Sequence, residues 1–598
     1  GNAGWLRLEG RDIVVSGGSL VDTSCDPGCT TGRGGALALV ARDGITITGD
    51  DPLHPTFVVS NSFGGGGTGP IAITAGGALA MRGAAFVQGN TRVGGAGSSI
   101  TLRTGSIDLS GGAQVDATTR TAGRGGDVVV ENAGELRIGG TRSDPLQGGA
   151  TLPSGIFANA GGSGNAGAIV ISTATLRVLD GGEVSSTAIT GSTGDGGRIA
   201  IRATGLVQVA GADAGGKPSG IVANTFASGD AGAIAIEADR VEVARGGRLE
   251  TQTQRGTLFG ESGDAGTLTI RARELSVESG GQVGSSTFGS GRGGLVDIAL
   301  SGSLLVSGAP SGADDTGIYS QTYGSGAGGE VRVSAPGIVI DGGVILAGTQ
   351  FDTLAVGPPG PGGTVVLDAG RSLAIRNGGT LGSFARPNSG LAGDIVVRVG
   401  DELHIESGGR LSTEARDSDG GNIAVSVGRL ARLDGGRIAT AVGTGQGAGG
   451  NITLSVPTLV LRGAVVSANA FGGPGGNIRL GTQALFASAD SSVTASSQLG
   501  IYGTIVLDSP ALDPTGELLA PAPVFVDAGA VLAGRCGPRL AGRASSLVVA
   551  PRGDAVPWPD ELRPALDGFT AGFLTVPAPA GSACTAPPRA WREARASR

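Results

Sequence analysis

A unit of the form GDAGAIAIEADRVEVARGGRLETQTQ, Gly229 to Gln254, recurs along the chain with local variation and limits the fold more than any other feature. It reads as three short alternating strands. Ile234 and Ile236, then Val241 and Val243, then Leu249 and Thr251 sit at spacings of two, which puts each pair on one face of a strand. Marking the first apolar residue of the first strand gives Leu6, Leu37, Ile71, Ile100, Val128, Ile169, Ile199, Ile234, Leu268, Val296, Val331, Val365, Ile395, Ile423, Ile452, Ile478 and Ile505. These are 17 copies, spaced 26 to 41 residues apart. Helical repeats of this length would place apolar residues at spacings of three and four and would avoid glycine, so the period is one of strands.

Three short strands cannot bury their apolar side alone, but stacked units pair equivalent strands in parallel and share one interior. The predicted fold is all-β: a single-stranded right-handed parallel β-helix over residues 1–508, three short strands per coil and about 17 coils. At ~4.8 Å between paired strands that is a rod of about 80 Å. Val243 and Ile270 are assigned inward. Composition agrees. Glycine is 117 of 598 residues without a G-X-Y period, and aromatics are only 3%, so corners are glycine-rich and the core is thin and aliphatic. A Gly-Gly pair before the third strand recurs at Gly246-Gly247, Gly280-Gly281, Gly342-Gly343, Gly378-Gly379, Gly408-Gly409 and Gly435-Gly436. Length variation is expected after the third strand, and TRSDPLQGGATLPSG, with Pro145 and Pro153, reads as an exposed excursion.

The net charge of −8 is small for this length and no long charge run exists, which argues against nucleic acid or an anionic membrane as partner. No apolar stretch approaches the ~20 residues of a membrane-spanning helix. The chain begins within the pattern, at GNAGWLRLEG, so a leader or further sequence is expected upstream. Cys25 with Cys29, and Cys536 with Cys584, read as two disulfides of an oxidising compartment, with metal ligation as the alternative.

Phe63, Phe226, Phe288, Tyr323 and Phe471 each lie five positions after the first apolar residue of a third strand and should share a corner, with Phe259, Phe351 and Phe384 nearby. They either seal the core edge or grip a partner. Asn165, Asp195, Asp230, Asp264 and Asp419 precede first strands by four residues and read as turn formers rather than calcium ligands. Asn422, Asn451 and Asn477 read as an amide ladder.

His54 and His404 are too far apart to share a site, which excludes paired-histidine chemistry. A glycan-cleaving enzyme needs carboxylates and cations converging on neighbouring coils. The nearest approach is Glu414, Asp417 and Asp419 with Arg416 in one turn. No catalytic, cofactor or metal residue is assigned.

After Leu507 the repeat stops and proline rises. Residues 509–598 read as a Pro-rich C-terminal cap or tail. Asp513, Pro514, Gly516, Val526, Asp527, Cys536, Ser545, Ser546, Val548, Val549, Arg552, Gly553 and Pro557 follow a pattern that resembles the C-terminal end of haemagglutination-activity exoproteins of the filamentous-haemagglutinin, two-partner-secretion type. Leu547 stands where that family usually has Phe, and Asp554 where it has Gly. The coils are similar to that family's as well. The resemblance implies an adhesin or structural surface protein exported through a dedicated outer-membrane transporter. It further implies display on, or release from, a Gram-negative cell, with a host, matrix or neighbouring-cell glycan or protein as ligand. A polysaccharide lyase or hydrolase on the same scaffold is the alternative.

Overall fold

The computed structural model describes residues 2–508 apart from 26–27, 146–147, 227, 254–262, 310–314, 350–359 and 386–389. The chain divides into Gly1–Ser509 and Pro510–Arg598, and the description concerns the first unit. Cys536, Cys584, Phe259, Phe351 and the family-like ending lie outside the described residues.

All seventeen marked residues pair with their successors in parallel register, from Leu6 with Leu37 to Ile478 with Ile505. The molecule is a parallel β-solenoid of about sixteen turns, because the last copy contributes a single strand, Ile505–Asp508. Among the described residues, first and second strands form one 28-stranded sheet and third strands a 16-stranded sheet. In five consecutive coils the first and second strands run on as one, beginning with Ala233–Ala244 and ending with Thr364–Arg376, so the bend there leaves backbone pairing nearly unbroken.

Alternation dictates the interior. Ile234, Ile236, Val241, Val243, Leu249 and Thr251 are at most 1% exposed, and Ile270 is fully buried. One continuous cluster of aliphatic side chains runs along the stack, with no aromatic residue in it among those described. The sparse aromatic content is thus explained by a core too narrow for rings.

Glycine works at the corners in two distinct ways. The first glycine of each Gly-Gly pair turns the chain with positive φ, 79° at Gly246 and 80° at Gly280. The second lies against the preceding coil: a Cβ on Gly247 would sit 2.2 Å from the Val209 carbonyl oxygen. A further column stands two residues before the first strand, where sixteen of the seventeen coils carry glycine, from Gly4 to Gly503, and one carries Ser98. At Gly266 a Cβ would come 1.7 Å from the Gly232 carbonyl oxygen. Inward Ser and Thr hydroxyls of the third strand donate to this column, Ser285 to the Gly266 carbonyl and Ser383 to the Gly363 carbonyl, both at 2.6 Å.

Length variation corrects the expectation in one respect. The TRSDPLQGGATLPSG excursion forms an antiparallel hairpin, Thr141–Asp144 with Ala150–Pro153, between the second and third strands of its coil rather than after the third. The Arg142 stem crosses Gly112, and its guanidinium lies 5.4 Å from the Phe86 ring centre, so the excursion is pinned on the sheet face. Gly211–Ser219 bulges from the same corner.

Candidate functional site

Register places Phe63, Phe226, Phe288, Tyr323 and Phe471 one residue beyond a column of inter-coil bridges that includes Ser62, Thr225, Thr287, Thr322 and Ala470. All five rings are half-buried. Phe288 and Tyr323, on adjacent coils, stack with centres 4.4 Å apart and planes 4° from parallel, and Arg92 occupies the next step of the column over Phe63 at 5.4 Å. The column therefore mixes rings with other side chains, with Arg92, Arg120, Gly161 and Ile189 standing between Phe63 and Phe226. Cys25 and Cys29 are joined as a disulfide at the start of that corner.

The Asx residues bond between coils more than within their own turns. The backbone N–H of Asp195 donates to Asn165 Oδ1 (3.0 Å), that of Asp230 to Asp195 Oδ1 (3.0 Å) and that of Asp264 to Asp230 Oδ1 (2.7 Å). The same relay links Asp394, Asn422, Asn451 and Asn477, where each amide also donates to the side chain before it. A second relay, not singled out in the sequence, follows the third strand: the N–H of Asn90 donates to Asn61 Oδ1 and that of Gln252 to Asn224 Oδ1. Its signal is an Asn three residues after the strand's first apolar position. Asp419 accepts from the Ala448 N–H (2.7 Å), Asp417 from the Thr444 hydroxyl, and Glu414 from the Ser412 hydroxyl (2.9 Å). Asp417 and Asp419 of the best acidic turn in the sequence are thus engaged in holding coils together, while Glu414 bonds within its own strand. His54 pairs with Asp51 at 2.6 Å and His404 with Glu402 at 3.1 Å, on well-separated coils.

Two other arrangements emerge only in the folded chain. On the outer face of the third strands, Lys217 meets Glu183 at 2.7 Å and Arg248 meets Glu250 at 3.3 Å. Glu250 is 5% exposed, and burial pushes its carboxyl above the ordinary range, against the opposing pull of Arg248. The folded state then binds this proton more tightly than the unfolded chain. Its stabilising contribution is present at acid pH and is lost as pH rises through the raised folded-state value. Glu250→Gln is expected to melt higher than the wild type at pH 8, with the difference vanishing near pH 4, in paired thermal scans.

The second arrangement is a groove of about 940 Å³ on the solvent side of the bend between first and second strands. One wall is the outward column Thr74, Arg103, Glu131, Ser172, Arg202, Glu237 and onward to Arg271, one residue per coil. Arg103 Nε donates to Glu131 Oε2 at 2.8 Å and Arg202 Nε to Glu237 Oε2 at 3.0 Å, so cation and carboxylate alternate as exposed pairs. Arg103 holds the Glu131 carboxyl below its usual range. The floor is small-residued except in three successive coils, where Thr104, Asn132 and Thr173 replace the aliphatic residues found there in most other coils. Thr104 donates to Asn132 Oδ1 (3.3 Å), and Asn132 Nδ2 to the Thr173 hydroxyl (2.9 Å).

No protein-family model, curated protein or solved structure matches the chain. Among the described residues, no group of three or more His, Cys, Asp or Glu side chains is arranged to hold a metal ion, and no helix is long and apolar enough to cross a membrane.

Proposed function

We propose that the protein is a secreted or surface-displayed exoprotein of the two-partner-secretion type, exported through an outer-membrane transporter, whose stacked coils act as an adhesive or structural rod. The observation that carries this reading is the unbroken parallel register of seventeen repeat copies. Such a stack offers long lateral surfaces and spends its corner carboxylates on coil-to-coil hydrogen bonds. The resemblance of residues 513–557 to the ending of that family supports the same reading. Beads coated with the purified chain should adhere to host cells, extracellular matrix or neighbouring bacteria well above albumin-coated beads. Equal adherence on all three surfaces would remove the adhesive reading.

A second reading, cleavage of a polysaccharide, is favoured by one observation: the Glu183 and Glu250 carboxyls lie near Lys217 and Arg248 on one face, with Glu250 held toward its protonated form. Release of reducing ends from a polysaccharide panel, abolished by Glu250→Gln, would establish it in place of the first.

A further inference from the structure

We propose that the groove along the first bend binds an extended, neutral polysaccharide chain lying parallel to the stack; the inference rests on the adhesive reading and names its ligand class. Three features carry it. First, the groove spans seven coils, so equivalent positions repeat at ~4.8 Å over about 29 Å. A sugar ring in an extended β-linked chain advances by nearly that step, so each successive ring meets the next coil of the wall. An extended peptide repeats its side chains on one face every ~6.6–6.8 Å and falls out of register within a few residues.

Second, the polarity suits hydroxyls rather than charges. The guanidinium groups of Arg103 and Arg202 are matched by Glu131 and Glu237, which leaves a wall that offers donors and acceptors in alternation without a strong net field. Polyanions gain little from such a wall. Third, the floor departs from the common pattern in three successive coils; among the described residues the column's other buried polar side chain, Thr482, stands alone near the end of the stack and donates to the Pro457 and Ala484 carbonyls. In the column that elsewhere holds Ala41, Ala75, Ala203, Ala335, Ala369 or Val399, three coils place Thr104, Asn132 and Thr173 at 5–7% exposure, linked to one another. Departures from an otherwise consistent pattern are where function is expected. Asn132 uses one amide hydrogen on Thr173 and its oxygen on Thr104, so its other amide hydrogen remains for a ligand hydroxyl. The surrounding floor of Ala75, Gly76, Gly105, Ala133 and Ala174 allows close approach of a ring face.

The test is affinity electrophoresis through gels containing hydroxyethylcellulose, xyloglucan, galactomannan or polygalacturonate. Ser172 is exposed on the groove wall, and Ser426 is exposed in the same outward column outside the groove. Ser172→Trp fills the groove without touching the core, and Ser426→Trp places the same bulk elsewhere. The expected result is retardation of the wild type by at least one neutral polymer. Ser172→Trp should weaken it on the order of tenfold or more, and Ser426→Trp should match the wild type. No retardation by any neutral polymer, retardation by polygalacturonate alone, or equal behaviour of the two tryptophan variants would overturn the proposal. Coated-bead adherence separates the two levels. Wild-type and Ser172→Trp beads that adhere equally to a cell or matrix surface would sink the groove and leave the adhesive reading standing. Absence of adherence by both would sink the adhesive reading on which the groove depends.

Discussion

Gly266→Ala is expected to destabilise the stack by about 3 kcal/mol or more, at the upper end of what overpacking costs. A Cβ at this position would lie 1.7 Å from the Gly232 carbonyl oxygen, which belongs to rigid backbone of the preceding coil rather than to a side chain that can turn away. Relief requires the coils to part. Parting lengthens the parallel hydrogen bonds of the first strands, where Leu268 pairs with Ile234, and the Ser285 hydroxyl's bond to the Thr251 carbonyl of the preceding coil. Gly246→Ala supplies the contrast. Nothing lies within 4 Å of a Cβ there, so its cost is the left-handed backbone alone, about 1–2 kcal/mol. Hydrogen exchange should show Gly266→Ala losing protection in the coils on either side of the substitution, while Gly246→Ala loses it only at its own corner. Equal losses for the two variants would mean that crowding between coils is not what the glycine column relieves.

The register of all seventeen copies was legible from spacing-two apolar pairs, because a strand buried on one face cannot slip by one residue without exposing its whole apolar set. The Gly-Gly corners were legible because positive φ leaves a residue signature. The column ending in Gly503 was harder to single out, since a glycine required by crowding looks like any other corner glycine until the preceding carbonyl is in place. The hairpin at Thr141–Asp144 was assigned to the wrong corner because loop length alone does not say which strand it follows. Neither the groove nor the Glu183–Glu250 face was legible. Each is assembled from single residues some thirty positions apart, and each of those residues, met alone, reads as an ordinary solvated charge or hydroxyl. Thr104, Asn132 and Thr173 did carry a signal, since each sits four after a first-strand apolar residue where most coils have Ala, Val or Leu.

Val243→Asp should be the most damaging single change in the central coils. Val243 is fully buried between Val209 and Val277 in an apolar column, with no cation within the interior cluster to meet a carboxylate. An unpaired charge in such a place either stays ionised at a cost of several kcal/mol or takes up a proton and leaves polar oxygens without partners. The expected loss is about 4–5 kcal/mol or more, among the largest seen for point changes. Because each coil contacts only its neighbours, the damage should begin locally and spread along the stack as temperature rises, giving an early, separate melting step. Val243→Thr preserves shape and adds only a hydroxyl, so about 1–3 kcal/mol is expected. Ala235→Asp, on the outward face of the same long strand, should stay within about 0.5 kcal/mol of the wild type. A calorimetric ranking in which Val243→Asp loses most, Val243→Thr less and Ala235→Asp least tests the inward assignment directly. A Val243→Asp protein that melts with the wild type would place this column on the surface, and the narrow aliphatic interior that accounts for the chain's composition would have to be abandoned.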